Sequence, residues 1–363
     1  MKTIKLINYI EPTCNLNANL KYGYGNVKGV TIDKEIIKTK AKETKGTDLK
    51  KYKIVNCNEF IYNPRTHGKR IGLGFNDKNE SFIISFNNIS FKVKDEKLHQ
   101  LNPTYLFIWF NRMEWDRLAC FNSWGSSTEV FTFDELCNMK MKLPDIEIQN
   151  EVVEIYYSIK DKINKYEKKL KILKFVCDAH IEHLKKEYKT EAIGKYIYEI
   201  KNKNSDNAVK TLMGVNKDKQ FIKTKAKIDK EDLSNYKVVE VGDFAYSNRI
   251  NIGSVALKYD IKCIVSSSYV VFRTSEKLLN EYLLLWLSRE EFCHFAFFYS
   301  MGTIKDDLKI SELGEMKIPI PPIEVQQNIV DVYDAYRKIK QNLDKLKNMS
   351  NNLCSVLIKG SIS

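Results

Sequence analysis

IKTKA occurs twice in this chain, at residues 37–41 and at residues 222–226, an offset of 185 in a chain of 363 residues. The match continues downstream, where LKKYKIV (49–55) corresponds to LSNYKVV (233–239) at an offset of 184. Further pairs keep the same order while the offset falls stepwise to 177: Phe60/Phe244, Arg65/Arg249, Gly72/Gly253, Phe91/Phe272, Trp109/Trp286, Pro144/Pro321 and Gln149/Gln326. A one-way drift is what short loop insertions produce. The chain is therefore an internal duplication of two domain-sized units rather than a solenoid of short repeats.

The composition indicates well-packed globular domains. Hydrophobic residues make up 43% of the chain and aromatic residues 12%, which excludes a disordered polypeptide. The formal net charge is +13, which predicts a polyanionic partner, most often nucleic acid. A generally lysine-rich composition would give the same charge, so the charge alone leaves both interpretations open.

Targeting signals are missing from the sequence pattern. No apolar run approaches the length of about 18 residues that predicts a membrane span, and MKTIKLINYI at the start lacks the apolar stretch of a signal peptide. The eight cysteines form no CxxC pair and show no regular spacing. We therefore expect a cytoplasmic protein with reduced, mostly buried thiols.

Each half has the same predicted order of elements. Runs typical of strands are KYKIV (51–55) and SFIISFNNISFKV (81–93), matched by NYKVVEV (235–241) and CIVSSSYVVFRT (263–274). Basic loops with glycine lie between these runs, at 63–74 and 247–253. An aromatic helix is predicted next, at 103–121 and at 280–298, because apolar residues recur there every three or four positions.

A long helix with a heptad seam is predicted at the end of each half. In the second copy, steps of four and three run from Val325 to Leu357, with the polar Ser350 in the series. The first copy has one stutter, at 159–163, where a step of four occurs twice. Its series is Ile148, Val152, Ile155, Ile159, Ile163, Tyr166, Leu170, Leu173, Cys177, His180 and Leu184.

The two seams most simply pair with each other as an antiparallel coiled coil, because the chain must turn back for the second helix to lie beside the first. At 1.5 Å per residue, about 35 residues give a rod of roughly 50 Å. The alternative is that each helix packs only on its own domain. The predicted fold class is α+β, with two similar mixed domains and a pseudo-two-fold arrangement. The predicted segments are a first domain at 1–147, a central helix at 148–187, a second domain at 188–324 and a C-terminal helix at 325–363.

Several stretches resemble the specificity (S) subunits of type I restriction-modification systems. They cover essentially the whole chain in the order domain, helix, domain, helix. The residues that carry the resemblance are IPIPPIEVQQNIV (318–330), its weaker first copy KLPDIEIQNEVV (142–153), GVNKDKQFIKTKA (214–226), VVEVGDFAYSNRINIGSVAL (238–257), GTIKDDLKISELGEMKIPIPP (302–322) and NEFIYNPRTHGKRIGL (58–73). The first copy departs from the pattern at one junction, where Pro144-Asp145 stands in place of the double proline Pro321-Pro322.

The resemblance implies a subunit without catalytic chemistry. In that family each domain is a target recognition domain that reads one half of a bipartite double-stranded DNA target, and the two helices set the spacing between the halves. It also implies docking of two copies of a methyltransferase (M) subunit, which uses S-adenosylmethionine. An ATP- and Mg-dependent restriction (R) subunit is a further possible partner. No cofactor is expected on this chain itself.

The two IKTKA segments suggest residues that contact the DNA backbone. Lysine side chains and hydroxyl donors suit phosphate oxygens. The residues are Lys38, Thr39 and Lys40 in the first copy, and Lys223, Thr224 and Lys225 in the second. The alternative is a solvated strand edge.

The basic loops between the predicted strands are the candidates for base contacts, because arginine pairs with guanine and asparagine with adenine in the major groove. These residues are Asn63, Arg65, His67, Lys69 and Arg70 in the first domain, and Asn248, Arg249 and Asn251 in the second. Since Arg65 and Arg249 match each other, a structural or phosphate role is equally open for that pair. The unmatched residues are the better candidates for specificity.

A third candidate contact is the glycine loop after each aromatic helix, WGSSTE (124–129) and MGTIKD (301–306). It would present Ser126, Ser127, Thr303 and Lys305 to DNA, although a plain helix C-cap turn is the alternative.

Catalytic and metal motifs were considered and set aside. The NPR of 63–65 lacks the second proline of an amino-methyltransferase loop, and no GxxxxGK[ST] phosphate loop occurs. Cys177, His180 and His183 have helical spacing suited to zinc, but two of them fall in the heptad seam, so no metal site is predicted. A second functional hypothesis is a non-catalytic scaffold whose two globular ends bind protein.

Overall fold

The computed structural model describes residues 1–39, 48–65, 70–125, 129–224, 232–247, 253–300, 308–350 and 352–362. The chain divides into two compact units. The first unit comprises Met1–Lys165 together with Leu343–Ser363, and the second is Tyr166–Asn342. Each unit contains one copy of the repeat and parts of the long helices.

The first unit begins with ten short strands and three helices in its described residues. The strands are β1 (Lys2–Lys5), β2 (Ile10–Thr13), β3 (Lys28–Val30), β4 (Ile36–Lys38), β5 (Lys53–Val55), β6 (Glu59–Tyr62), β7 (Leu73–Phe75), β8 (Phe82–Ile84), β9 (Ile89–Val93) and β10 (Lys140–Leu143). The helices are α1 (Pro103–Phe110), α2 (Met113–Phe121) and α3 (Phe133–Asn138). Helix α4 (Ile146–Glu187) then begins in the first unit and ends in the second.

The second unit repeats this set. Its strands are β11 (Thr190–Ala192), β12 (Ile197–Glu199), β13 (Met213–Val215), β14 (Phe221–Lys223), β15 (Lys237–Val239), β16 (Phe244–Ser247), β17 (Val255–Leu257), β18 (Cys263–Val265), β19 (Tyr269–Thr274) and β20 (Lys317–Pro319). Its helices are α5 (Asn280–Leu287), α6 (Glu290–Ser300) and α7 (Ile310–Gly314), followed by α8 (Ile323–Ser350) and α9 (Leu353–Ser361). Helix α9 and the last residues of α8 belong to the first unit.

The two units share one sheet topology. The first contains an antiparallel sheet in the order β2-β9-β6-β7, and the second contains β12-β19-β16-β17. In each sheet a pair of phenylalanines faces across the two central strands. Phe60 stacks on Phe91 with ring centroids 4.8 Å apart, and Phe244 stacks on Phe272 at 4.9 Å. The predicted duplication and the α+β class are confirmed down to equivalent core contacts.

Buried glutamines fix the start of each long helix to its own unit. Gln149 accepts a hydrogen bond from the Asn102 amide at 2.9 Å and donates to the carbonyls of Gln100 and Pro144. Gln326 repeats all three bonds, with Leu279 as the donor and the carbonyls of Lys277 and Pro321 as the acceptors. Because both side chains are fully buried, the junction between domain and helix is rigid in both copies.

The long helices pair in opposite directions. In the first unit, Val152 and Tyr156 of α4 share a core with Cys354 and Ile358 of α9. In the second unit, Ile181 and Leu184 near the end of α4 share a core with Ile329 and Val330 near the start of α8. Residue numbers therefore rise along α4 while they fall along its partner segment, as the antiparallel prediction required.

The heptad register predicted for α4 is wrong in its first turns. Ile148 and Ile155 are 40% and 48% exposed, while Gln149 and Tyr156 are buried. The inward face reads 149, 152, 156, 159, 163, 166, 170, 173, 177, 180 and 184, with steps of three and four throughout. The predicted stutter at 159–163 is therefore absent. It arose because isoleucines were assigned to the seam in preference to a buried glutamine and tyrosine.

Three predicted helices, the two aromatic helices and the C-terminal helix, are each divided in the structure. The aromatic helix expected at 103–121 is α1 and α2, separated at Asn111 and Arg112, and the second copy breaks in the same way between α5 and α6. The C-terminal helix expected at 325–363 ends at Ser350 and resumes at Leu353. Ser350 at the end of α8 and Asn352 before α9 are both weak helix formers, which favours a division at this point.

Candidate nucleic-acid interface

The β3–β4 hairpin carries the described part of the first IKTKA segment, residues 37–39. Lys38 ends β4 opposite Lys28, and its side chain is exposed. The hydroxyl of Thr39 donates to the Val27 carbonyl at 3.1 Å, so this hydroxyl helps to close the hairpin. Lys38 therefore keeps the placement expected of a phosphate contact, whereas Thr39 has a structural bond. Lys40 lies outside the described residues.

The β13–β14 hairpin carries the described part of the second IKTKA segment at the position equivalent to that of the first. Lys223 ends β14 opposite Met213 and is exposed, and Thr224 follows it in a half-buried position. Lys225 lies outside the described residues. The two exposed lysines thus occupy the same point of two equivalent hairpins, and their contact with phosphate stays a prediction.

A buried lysine anchors the tip of the first hairpin. Lys34 has a left-handed backbone with a φ of 64°. Its ammonium group donates to the Ile71 carbonyl at 2.6 Å and to Oδ1 of Asp116 at 2.5 Å, and lies 4.9 Å from the centre of the Trp115 ring. These bonds tie the hairpin to helix α2 and to the end of the basic loop. Burial lowers the pKa of Lys34, and Asp116 opposes that shift.

The side chain of Arg70 joins the same network from the surface. Its Nε donates to Oδ2 of Asp116 at 3.1 Å, and its Nη1 donates to Oδ1 of Asp33 at 3.2 Å. The side chain remains 45% exposed. Arg70, predicted as a base contact, therefore already uses two of its five donors on protein carboxylates.

The basic loop and the glycine loop of the first unit lie side by side. Arg65 and Trp124 each form an antiparallel β-bridge with Val130. The Phe131 amide also donates to the Pro64 carbonyl at 2.8 Å, and the Asn63 side chain accepts from the Arg65 amide at 3.1 Å. Two loops that the sequence presented as separate candidates therefore share one surface. His67, Lys69, Ser126 and Ser127 lie outside the described residues.

An exposed aromatic group on this surface was missed by the sequence reasoning. Trp124 is 69% exposed, and Phe121 at the end of α2 is 76% exposed. Both belong to stretches that had been interpreted as a helix and its cap. The signal available in the sequence was a tryptophan next to a glycine in a loop whose copy carries methionine, at Met301.

In the second unit the predicted base contacts Asn248, Arg249 and Asn251, and the loop residues Thr303 and Lys305, all lie outside the described residues. The described flanks of the two loops are joined by a hydrogen bond. The Tyr246 hydroxyl donates to the Leu308 carbonyl at 3.0 Å, which joins the start of one loop to the end of the other. Gly253 has a φ of +84°, and a Cβ atom there would lie 3.5 Å from the Cα of Cys293.

The hairpin tip of the second unit has a different anchor. Lys219, with a φ of 60°, corresponds to Lys34. Its ammonium group donates to the Leu287 carbonyl and lies 3.9 Å from the sulfur of Cys293, the residue that replaces Asp116. Burial lowers the pKa of Lys219, and the Cys293 thiol opposes that shift.

Over the described ranges, no three His, Cys, Asp or Glu side chains are grouped so that they could hold a metal ion. Nor is any helix within those ranges both long enough and apolar enough to cross a membrane.

Comparison with known proteins relates one segment of this chain to a known family and the whole chain to solved structures. Residues 182–348 match the family described as "Type I restriction modification DNA specificity domain". The whole chain has the fold of the S subunit of a type I restriction-modification system from M. genitalium, with a TM-score of 0.65, 11% identity, and coverage of 100% of this chain and 96% of that one. A search of the curated proteins finds no match.

Two further structures align over 99% of this chain at 15% identity, but with lower TM-scores. One comes from a study of complex assembly and conformational transition of the type I R-M system, with a TM-score of 0.42 and coverage of 98% of that chain. The other is the HsdS subunit from Thermoanaerobacter tengcongensis, with a TM-score of 0.39 and coverage of 94% of that chain. The fold assignment rests on the M. genitalium structure alone.

Proposed function

We propose that this chain is the subunit that reads a bipartite DNA target. Its residues 182–348 match the type I restriction modification DNA specificity domain, and its fold is that of an S subunit. A role in DNA recognition follows from the family match. The finer proposal is that each unit reads one half-site, and that the chain directs methyltransferase and restriction subunits to the DNA without catalysing a reaction itself.

One observation carries this proposal: the scaffold is the same in both units while the candidate contact residues differ. The sheet order, the stacked phenylalanines and the buried glutamines are duplicated. The basic loops read NPRTHGKRIGLG at 63–74 and SNRINIG at 247–253. A common scaffold with different loops is what two readers of two different half-sites require, because direct readout depends on the side chains that reach the base edges.

The exposed lysines and arginines divide into two proposed roles. Lys38 and Lys223 occupy equivalent strand ends, which suits a sequence-independent contact with phosphate. Arg65 lies exposed where the two loops of the first unit meet, which suits a base-edge contact. Arg70 is a weaker candidate for base readout, because Asp116 and Asp33 already hold its guanidinium group.

The chemistry would come from partner subunits. We propose that S-adenosylmethionine binds to the methyltransferase subunits, and that ATP and magnesium bind to a restriction subunit where one is present. The duplication supports two methyltransferase copies, since two equivalent units present two equivalent sets of surfaces. Each copy would then act on one half-site.

Mapping of methylated bases tests the proposal directly. The chain is expressed with its methyltransferase partner in a host lacking other methylation, and the methylated motif is read genome-wide. We expect two short specified segments separated by unspecified bases. Replacing residues 63–70 should change one segment only, and replacing 247–253 should change the other.

Two outcomes would contradict the proposal: no sequence-specific methylation, or one contiguous motif in which both loop replacements alter the same bases. DNA binding by the assembled complex should also weaken steeply with salt, because neutralised phosphates release counterions. Binding that salt leaves unchanged would instead favour the protein-binding scaffold.

A further inference from the structure

We propose that Trp124 stacks on a DNA base in the half-site read by the first unit, an inference that rests on the proposed function. The chain has four tryptophans, and Trp109, Trp115 and Trp286 are all buried. Trp124 alone is exposed, at 69% of its surface. An indole of this size normally contributes to packing, so its exposure beside a candidate recognition loop points to a contact made with a ligand.

The backbone geometry places Trp124 in line with Arg65. Because both residues form antiparallel bridges with Val130, the three side chains project from the same face. Adjacent strands lie about 4.8 Å apart, so Trp124 and Arg65 are separated by roughly 10 Å. That distance is about three rises of 3.4 Å between stacked bases. Arg65 is suited to a base edge, and Trp124 is suited to the face of a base that is unstacked a few steps away.

Helix α2, which ends at Phe121 three residues before Trp124, carries further exposed groups. Met113, Arg117 and Phe121 follow one another at steps of four, so they share one helix face, and all three are exposed. An arginine one turn before an aromatic ring adds a cation to an otherwise apolar stripe. A positive, aromatic surface of this kind fits DNA, because the arginine can meet a phosphate and an aromatic side chain can insert at a base step that the bound duplex unstacks.

The difference between the two copies argues for DNA over a protein partner. Trp124 corresponds to Met301, and Arg117 corresponds to His294. A partner that docks once on each unit would need the same residues in both, as the identical bonds of Gln149 and Gln326 illustrate for a shared role. Residues that differ at equivalent places are expected where the two units read different bases. Stacking through Trp124 is thus a property of one half-site.

The test uses the chain assembled with its methyltransferase partner and a duplex that carries the mapped target. Within this complex only the present chain is labelled with 5-fluorotryptophan. The resonance of Trp124 is the one that is missing from the spectrum of the variant Trp124→Phe. We expect the target duplex to shift this resonance and the other three to stay in place. A 2-aminopurine placed at successive steps of the first half-site should brighten at one step, where stacking is disturbed.

Variants at this position separate stacking from general hydrophobic contact. Trp124→Leu keeps an apolar side chain without a π-face, and we expect its affinity for the target to fall about 5- to 150-fold, the range for loss of one stacked base. Trp124→Phe should lose much less. Leu98→Ala is the control. Leu98 is exposed and follows the Val93 end of β9, whereas the other end of β9, at Ile89, pairs with Tyr62 next to the basic loop. This change should leave affinity unchanged.

The outcomes distinguish this inference from the proposed function. If the unmodified complex shows no sequence-specific binding, the proposed function fails and this inference fails with it. If that complex binds its target but the Trp124 resonance does not shift and Trp124→Leu binds equally well, stacking is refuted while the proposed function stands. Because the 2-aminopurine signal is measured with the unmodified protein, a variant that fails to fold does not block the decision.

Discussion

The two hairpin tips of this protein have the same backbone and different chemistry. Lys34 and Lys219 both adopt the left-handed conformation, with φ of 64° and 60°, and both send the ammonium group into their own unit. Lys34 meets the carboxylate of Asp116, whereas Lys219 meets a backbone carbonyl and the thiol of Cys293. Duplication has preserved the shape of this anchor while its charge balance has changed.

The difference shows which part of the anchor the fold requires. A buried ammonium group needs hydrogen-bond acceptors, and both lysines find a carbonyl. Among the residues that the structure describes, only the first unit also supplies a neutralising carboxylate, shared between Lys34 and Arg70. We therefore expect the first unit to depend strongly on that carboxylate, and the second to tolerate changes at the equivalent position.

The largest effect is expected from Asp116→Asn, which keeps the shape and removes the charge. Breaking a buried ion pair from one side typically costs about 3–5 kcal/mol, because the remaining charge stays buried. The equivalent change Cys293→Ser should cost less than about 1 kcal/mol. Hydrogen exchange measured by mass spectrometry on peptides from α2 and α6 reports the stability of the first and the second unit separately.

The double variant Lys34→Met/Asp116→Leu is the control for this prediction, because replacing both charges with apolar groups should restore most of the stability. Equal losses in Asp116→Asn and Cys293→Ser would show that the carboxylate has no special role.

A second, smaller effect tests the part of the scaffold that did not diverge. Gln149→Leu and Gln326→Leu each leave one amide and two carbonyls without their buried partner. We expect a loss of about 2–3 kcal/mol in each case, since an orphaned buried polar group costs about 1–3 kcal/mol and water replaces some bonds. The same exchange experiment should show losses of similar size in the two units, and a clear asymmetry would contradict the equivalence of the two junctions.

The pH dependence of the second unit gives a third comparison. Because burial lowers the pKa of Lys219, the unfolded chain binds more protons than the folded one between the folded-state pKa and about 10.4. Stability should therefore rise with pH in that window, by at most about 1.4 kcal/mol per pH unit. Lys219→Met should remove this rise, and Cys293→Asp should reduce it by holding the proton on the lysine. Urea unfolding between pH 8 and 10.5 measures the difference, and identical slopes in the wild type and Lys219→Met would rule out Lys219 as the source.

The smallest effect is expected at the exposed side of the Asp116 network. Arg70→Ala removes two ion pairs, but its guanidinium group is half exposed and screened by solvent, so we expect a loss of less than about 1 kcal/mol. Comparison with Asp116→Asn then shows whether the buried cation, Lys34, or the exposed cation, Arg70, contributes more to the stability gained from Asp116. A loss in Arg70→Ala as large as that in Asp116→Asn would reverse our assignment.

The sequence predicted the architecture because the duplication supplied an internal alignment. That alignment pairs equivalent residues such as Phe60 and Phe244, and in the structure they stack on equivalent partners. The first turns of α4 were misplaced because apolarity alone cannot reveal a buried glutamine such as Gln149, which bonds two distant backbone groups and the nearby Pro144 carbonyl. Breaks in helices were missed because heptad spacing continues across a local interruption.

The candidate interface was predicted in composition but not in arrangement. The basic loop and the glycine loop were identified separately, and nothing in the sequence indicated that Arg65 and Trp124 would share Val130 as a neighbour. The pair Lys34–Asp116 joins residues 82 positions apart, so no local pattern could reveal it. Side-chain contacts with phosphate and bases stay predictions for Lys38, Lys223 and Arg65.

The first unit is interrupted in sequence by the whole of the second, and this bears on the order of folding. The Tyr105 hydroxyl is 2.8 Å from the Ser361 hydroxyl, 256 positions away, and Cys354 and Ile358 complete the core around Val152 and Tyr156. During synthesis the second unit has all of its residues before residue 343 is made, while the first unit keeps an open apolar face. Closing so long a loop slows assembly of the first unit relative to the second. A chain released after Asn342 should therefore show a protease-resistant second unit beside a first unit that is still readily cleaved.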